Sequence, residues 1–321
     1  IIDESKCLRA TGTTLGADDG CGVAIALAIA EISGTFNHGP IDVLLTVDEE
    51  IGLVGATKLI PGELLGGNAK FLVNIDFGRF GEFVLSSAGG VDRDIVIPVS
   101  WCKMISDDEK NITVISIEIS GLRGGHSGGD IHEGRGNAIK WMAEIIMKIA
   151  SEHCDLRMIS FNGGNAHNAI PSKSNSIICV PSPVAPEVVI KMKESFDLLC
   201  LRFSHVSGNY SNPHINFTII SDETSSSFEK CLTSSSTKTV LQFIESVPHG
   251  VISWSEGIPD LVETSQSLSI ANLTQEGMVI EVFARSSSKE ALAVLPRSFE
   301  IIAELYGGKC IAMSQDSPGW P

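Results

Sequence analysis

The sequence predicts an α/β protein: a first unit of alternating strands and helices with a largely parallel sheet, and an inserted α+β domain of antiparallel strands. Three observations predict it. Apolar runs end on carboxylates at Asp48 and again at Asp76, the place where strands of open α/β sheets present ligand-binding side chains. An apolar helical run, Cys21 to Ile32, lies before them. Beyond Val91 the texture changes to alternating or β-branched strands separated by amphipathic helices.

The elements follow in order. Thr11 to Gly20 is a turn-rich loop that runs into the helix Cys21 to Ile32, whose alanine, leucine and isoleucine on nearly all sides predict burial. Asp18 and Asp19 precede its first turn. Capping the free N–H groups needs one aspartate, which leaves the other for chemistry. Ile41 to Val47 reads as a buried parallel strand that stops at Asp48-Glu49-Glu50, where Gly52 turns the chain into a short helix near Leu53 to Leu59. Three adjacent carboxylates repel one another, so they form either a solvated acidic turn or a place that a cation neutralises. Phe71 to Ile75, ending in Asp76, and Glu82 to Ser87 complete the first unit. In the second, strands are expected at Asp92–Val99, Ile112–Ser120, Asn175–Val180, His214–Ile220, Glu263–Leu273 and Met278–Ala284. Helices are expected at Asn137–Ser151, Pro186–Leu201 and Ser288–Tyr306, and loops at the serine-rich 221–227 and 234–237.

Composition narrows the function. The 321 residues are 43% hydrophobic, enough for two packed domains, and carry 39 acidic against 23 basic residues for a net charge of -16. That charge repels nucleic acid and anionic membranes and suits a site that concentrates metal cations. No apolar run reaches the roughly 18 residues of a membrane span. The eight cysteines are scattered singly, which reads as reduced thiols of a cytoplasmic protein.

Gly125-His126-Ser127-Gly128-Gly129 matches Gly-x-Ser-x-Gly, the elbow that presents a nucleophilic serine. Its surroundings argue against a serine hydrolase: residues 121–125 separate Ser127 from the strand, and seven further residues delay the helix. His153-Cys154-Asp155 has metal-ligand spacing, but its place at a helix C-terminus suits a histidine that complements the helix dipole.

Several motifs together resemble one family. They are Gly12 to Gly20, Thr46-Val47-Asp48-Glu49-Glu50, Asn74-Ile75-Asp76, Gly121 to His132, Asp155 to Gly164, Asn168-Ala169-Ile170-Pro171, Pro248 to Ile252, Val262 to Ser265 and Ala284-Arg285-Ser286. In this order they resemble the aminoacyl-histidine dipeptidases, carnosinase-like co-catalytic zinc exopeptidases, over nearly the whole chain; the poorest stretch is 182–239. The resemblance implies two divalent metal ions, zinc first, with manganese or cobalt as alternatives because the surviving ligands are carboxylates. It places Asp18 as the bridging ligand, Glu50 and Asp76 as terminal ligands, and Glu49 as the general base for the water between the metals. Asp19 stands where the family usually has asparagine. His126 resembles a lid histidine that steadies the oxyanion at the partner subunit's site, and Asn168 and Arg285 resemble residues that hold substrate.

The family's His-x-Asp ligand pair and a later histidine ligand have no counterpart here. The expectation is therefore an internal piece: catalytic domain 1–91, lid and dimerisation domain 92–306, and a return to the catalytic domain at 307–321. Its function would be hydrolysis of dipeptides and short peptides, Xaa-His above all, by a homodimer, with this chain alone inactive. The alternative is an inactive remnant that dimerises or binds peptides.

Overall fold

The computed structural model describes residues 10–12, 18–49, 53–60, 62, 69–76, 81–104, 112–204, 212–220, 228–313 and 316–320. They form two compact units, 1–85 and 86–321.

In the first unit, helix α1 (Gly20–Ile32) begins behind Asp19, whose Oδ1 accepts the Gly22 N–H at 3.0 Å, and ends in a 3-10 turn at Ser33–Thr35. Helix α2 is a single turn, Val54–Thr57. The parallel sheet expected here is not formed among the described residues: 37–46, 69–76 and 82–85 join no ladder. Helix α1 is correspondingly not the buried helix its composition predicts. Only Gly22 is buried, and Ile25 and Leu27 are about half exposed at 50% and 54%. The physical reason is shared: an apolar helix is covered by the sheet it packs on, and without ladders neither surface closes over the other.

The second unit is an antiparallel sheet with helices, as its alternating strands predict. Its strands are β1 (Gly89–Ile97), β3 (Ile112–Ser120), β5 (Arg157–Gly163), β7 (Ser174–Pro181), β8 (His214–Ile220), β10 (Gly250–Trp254), β11 (Val262–Leu273), β12 (Met278–Ser286) and β13 (Lys309–Ala312). They pair in the order β13-β1-β12-β11-β5-β7-β3-β8, with β10 on β11. Two ribbons stand apart, β2 (Trp101–Lys103) with β9 (Lys230–Leu232), and β4 (Gly125–His126) with β6 (Ala169–Ile170).

Period-two patterning sets the faces. In β1, Val91, Ile95 and Ile97 point into the core while Asp92 and Asp94 take the other face, and β12 alternates in the same way. Helix α3 (Ala138–Glu152) buries Ile139, Trp141, Met142, Ile145, Ile146 and Ile149 against the sheet, α4 (Ala185–Arg202) and α5 (Ser234–Ser246). Helix α6 (Lys289–Leu305) covers β1, β12 and β13 with Leu295 and Phe299. Each such side chain contributes about 1.5–3 kcal/mol by leaving water.

Three expectations are corrected. Residues 234–237 open α5 rather than a loop: Thr233 caps it by accepting the Ser236 N–H, and Val240, Leu241, Phe243 and Ile244 form its buried stripe. Serines at a helix start resemble a loop because caps and loops favour the same residues. The segment 307–321 does not leave the second unit. Strand β13 extends the sheet beside β1, and Ser317 and Trp320 bridge to Gly90 and Ser87. The division also falls at 85/86 rather than after 91, since β1 already begins at Gly89.

Candidate functional site

In the first unit, Asp18, Asp19 and Asp76 each offer a carboxylate oxygen, all within 4.8 Å of one another. The cap of α1 positions the pair at 18 and 19. Gly22 makes room for it, since a Cβ there would lie 2.0 Å from Asp19 Oδ2. Asp76 reaches them from the end of 71–76, where its N–H is held by Asn74 Oδ1 at 2.7 Å. Burial and the neighbouring charges of Asp19 and Asp18 hold the Asp76 carboxyl above its ordinary range. That mutual repulsion is what a divalent cation relieves, and a carboxylate set suits a hard or borderline ion. Asp18 and Asp76, both expected as ligands, are thus brought together. Asp19, which sequence reasoning passed over as a departure from the family pattern, joins them while also capping the helix.

The acidic turn folds back on itself. The N–H groups of Leu53, Val54 and Gly55 donate to the carbonyls of Glu49, Asp48 and Val47 at 2.9, 3.1 and 2.9 Å, so α2 fixes the backbone that carries Glu49. Glu50 lies outside the described residues.

The second unit gathers the other three candidates. Strand pairing sets His126 opposite Ala169, and the Ser127 N–H donates to the Asn168 carbonyl at 2.7 Å, which seats Asn168 beside the histidine loop. Arg285, on β12, reaches the same loop: a Cβ on Gly128 would lie 2.9 Å from Arg285 Nε. Only a glycine at 128 admits that approach. The loop is held by Asp130, whose Oδ2 accepts the His126 N–H at 2.8 Å and whose Oδ1 pairs with Arg135 at 2.8 Å.

His126 is presented in a defined form. The N–H groups of Gly128 and Gly129 donate to its Nδ1 at 3.2 and 2.8 Å, so the ring proton sits on Nε2, which becomes a donor. Burial and the Arg285 charge push its pKa below the ordinary value, against the opposing pull of Asp130. The imidazole is therefore neutral near pH 7. Arg285 lies over the Phe283 ring at 4.2 Å, and Phe283 meets His167 edge-on at 5.6 Å. The Arg285 Nε is buried without a hydrogen-bond partner, and burial lowers its pKa. An unsatisfied buried N–H on a cation is costly, and an arriving carboxylate would relieve it. Phe283 and Gly128 were missed by sequence reasoning, for their roles depend on a contact between β12 and a loop far away in sequence.

Ser127 is not an elbow nucleophile. It follows the two-residue strand β4, is 3% exposed, and its buried Oγ has no partner, while α3 starts only at Ala138. His153 caps the C-terminus of α3, its N–H donating to the Ile149 carbonyl at 2.8 Å.

These features define an α/β chain with a carboxylate-bearing unit and a separate antiparallel α+β unit. Residues 117–194 of the latter match the peptidase dimerisation domain of the M20 family. The chain is 31% identical over 317 residues to the cytosol non-specific dipeptidase of Escherichia coli K12, covering 99% of this chain and 62% of that protein. It superposes on the crystal structure of aminoacylhistidine dipeptidase from Vibrio alginolyticus with a TM-score of 0.76 and 28% identity, over 97% of this chain and 60% of the other. The chain is similar to M20 peptidases, as its motifs predict, and shares the fold of that dipeptidase. It spans about three fifths of the length of these two relatives.

Proposed function

We propose that the protein hydrolyses dipeptides and short peptides with the help of two divalent metal ions, zinc first, and prefers histidine at the C-terminal side of the scissile bond. The observation that carries the reading is the convergence of Asp18, Asp19 and Asp76 in one carboxylate group. Asp18 and Asp76 would hold metal, together with Glu50. When bound, the ions would supply Lewis acidity toward the scissile carbonyl and the attacking water.

This chain's own residues supply the rest. Glu49 accepts the proton of the attacking water and returns it to the leaving amine. Neutral His126 donates its Nε2–H to the oxygen on which negative charge develops. Arg285, with an unpartnered buried N–H, pairs with the substrate's terminal carboxylate, and Asn168 helps to orient the peptide. The match to a dimerisation domain supports a homodimer through the second unit, with His126 serving the partner subunit's site.

The activity proposed is that of the whole protein. Among the described residues no histidine joins the carboxylate group, and carboxylates alone hold zinc weakly. The 321-residue chain by itself is therefore expected to bind metal loosely and turn over little.

Two measurements test the reading. Calorimetric titration of the chain with manganese or zinc should show saturable binding that Asp18→Asn and Asp76→Asn each abolish. The whole protein should cleave Xaa-His dipeptides and stop when treated with a chelator. Hydrolysis that survives chelation but is lost in Ser127→Ala would overturn the proposal in favour of a serine hydrolase. Peptide binding without hydrolysis in the metal-loaded protein would favour the remnant reading.

A further inference from the structure

Three cysteines lie together in the second unit, away from the residues just described. Cys102 of β2 faces Cys231 of β9 in register, with the sulfurs 3.7 Å apart. Cys179 of β7 shares a hydrogen bond with Cys231. Arg157 of β5, paired with Cys179 in the sheet, donates from Nη1 to Cys102 Sγ at 3.3 Å. All three thiols are free.

The geometry distinguishes what such a group can do. Among the described residues, the three sulfurs do not form a group of metal-ligand atoms within 4.8 Å of one another, and a guanidinium beside them repels a cation. A metal centre is therefore disfavoured. A disulfide is not. The ladder bonds from Thr233 N to Ser100 O and from Met104 N to Glu229 O flank the Cys102–Cys231 pair two residues to each side. Cys102 and Cys231 are thus a hydrogen-bonded antiparallel pair, whose Cα atoms stand about 5.5 Å apart. That lies inside the range that a disulfide spans, so the bond closes by rotation of two side chains toward each other.

We propose that Cys102 and Cys231 are a redox-active dithiol that a hydroperoxide such as hydrogen peroxide oxidises to a cross-strand disulfide. Cys231 is the attacking sulfur. It is buried, whereas Cys102 is partly exposed and opens the pair to a small oxidant. Hydrogen bonding from Cys179, with further help from Cys102 and Arg157, pushes the Cys231 thiol down to about 6 against the cost of burial, so it is a thiolate near neutral pH.

The chemistry balances. The Cys231 thiolate attacks one peroxide oxygen, an S–O bond forms, the O–O bond breaks, and the departing hydroxide takes the Cys102 thiol proton to become water. The Cys102 thiolate then attacks Cys231 Sγ, the S–S bond forms, the S–O bond breaks, and the second hydroxide takes a proton from solvent. The dithiol loses two electrons and the peroxide gains them. Cys179 lends its hydrogen bond and keeps its thiol.

The test uses the reduced chain with one equivalent of hydrogen peroxide, followed by alkylation of free thiols and a peptide map without reductant. A peptide pair joining Cys102 to Cys231 should dominate any other cross-link by about tenfold, as a cluster thiolate outcompetes ordinary thiols, and should vanish with dithiothreitol. Cys102→Ser and Cys231→Ser should each remove it, and Cys154→Ser should not. If a variant misfolds by circular dichroism, the map of the unaltered chain decides alone. A Cys179–Cys231 link in its place, or oxidation confined to the exposed Cys21 and Cys154, would overturn the proposal.

Discussion

His249 should make the second unit sensitive to acid. Its Nδ1 accepts the Leu268 N–H at 3.3 Å and faces the Asn137 side-chain amide at 3.3 Å, so the ring is held neutral with its proton on Nε2. Burial, with a smaller contribution from the Lys140 charge, lowers its pKa from 6.5 to about 4. A depressed histidine contributes nothing above the unfolded value, where both states are neutral. As pH falls from 6.5, the unfolded chain takes up a proton that the folded chain refuses until about pH 4. At about 1.4 kcal/mol per unit, the loss approaches roughly 3 kcal/mol by pH 4, a sizeable share of a domain's stability. Glu281 works in the opposite sense. Burial, with the Asp92 and Asp94 charges, raises it to about 7, so it destabilises the fold as pH rises from 4.5. It is half exposed, which reduces its weight, but it flattens the curve of the unaltered protein. The informative quantity is therefore the difference between the protein and His249→Gln in urea unfolding at pH 7, 6, 5 and 4. The variant should lose stability at pH 7 and close the gap by about 2–3 kcal/mol on reaching pH 4. A gap that stays constant across that range would refute the assignment of His249 as the titrating group.

Asn137→Ala should lower stability by about 2–4 kcal/mol, because it removes the cap of α3 and leaves the Leu268 carbonyl without its donor; urea unfolding at pH 7 measures it. In the whole protein, Glu49→Gln should leave metal content unchanged and reduce turnover by about 10²- to 10⁴-fold, as expected for a lost general base; elemental analysis showing a missing ion would make Glu49 a ligand. Gly128→Ala should raise KM for peptides with a free C-terminal carboxylate and much less for their amides, since the new Cβ meets Arg285 Nε at 2.9 Å and turns the guanidinium away. Equal effects on both substrates would detach Arg285 from carboxylate recognition.

Legibility in the sequence followed the range of the interactions involved. Strands β3 and β8 were readable to the residue, and helices α3, α4 and α6 to within one or two, because alternation and amphipathic spacing are local. Short strands such as β2, β9 and β13 carry no period of their own and exist only through pairing with distant partners. Helix α5 was hidden by the serines that start it. At the candidate site, Asp18 and Asp76 stand out in sequence as acids following a turn and an apolar run, and His126 as a histidine among glycines. The form of His126 was not legible, because it is set by the folding of Gly128 and Gly129 back onto Nδ1. Nor was the orphaned Nε of Arg285, which requires β12 to be brought to that loop.

The two units differ in how they meet the cost of ordering a chain. Among the described residues every buried core hydrophobic side chain, from Val91 to Ala303, belongs to the second unit. Burying these side chains is what offsets the conformational entropy of its ordered residues. The first unit has the opposite balance. Phe71, Leu72, Val73 and Phe83 are 75–89% exposed, and a carboxylate group gathers like charges that repel. Apolar strands gain their stability from ladders and from helices laid across them, and among the described residues no ladder forms at 71–76. A cation at Asp18, Asp19 and Asp76 would therefore act on more than chemistry. By binding only the conformation in which the three carboxylates converge, it would contribute its binding free energy to the order of the first unit. Catalytic competence and local folding would then be one equilibrium in the first unit.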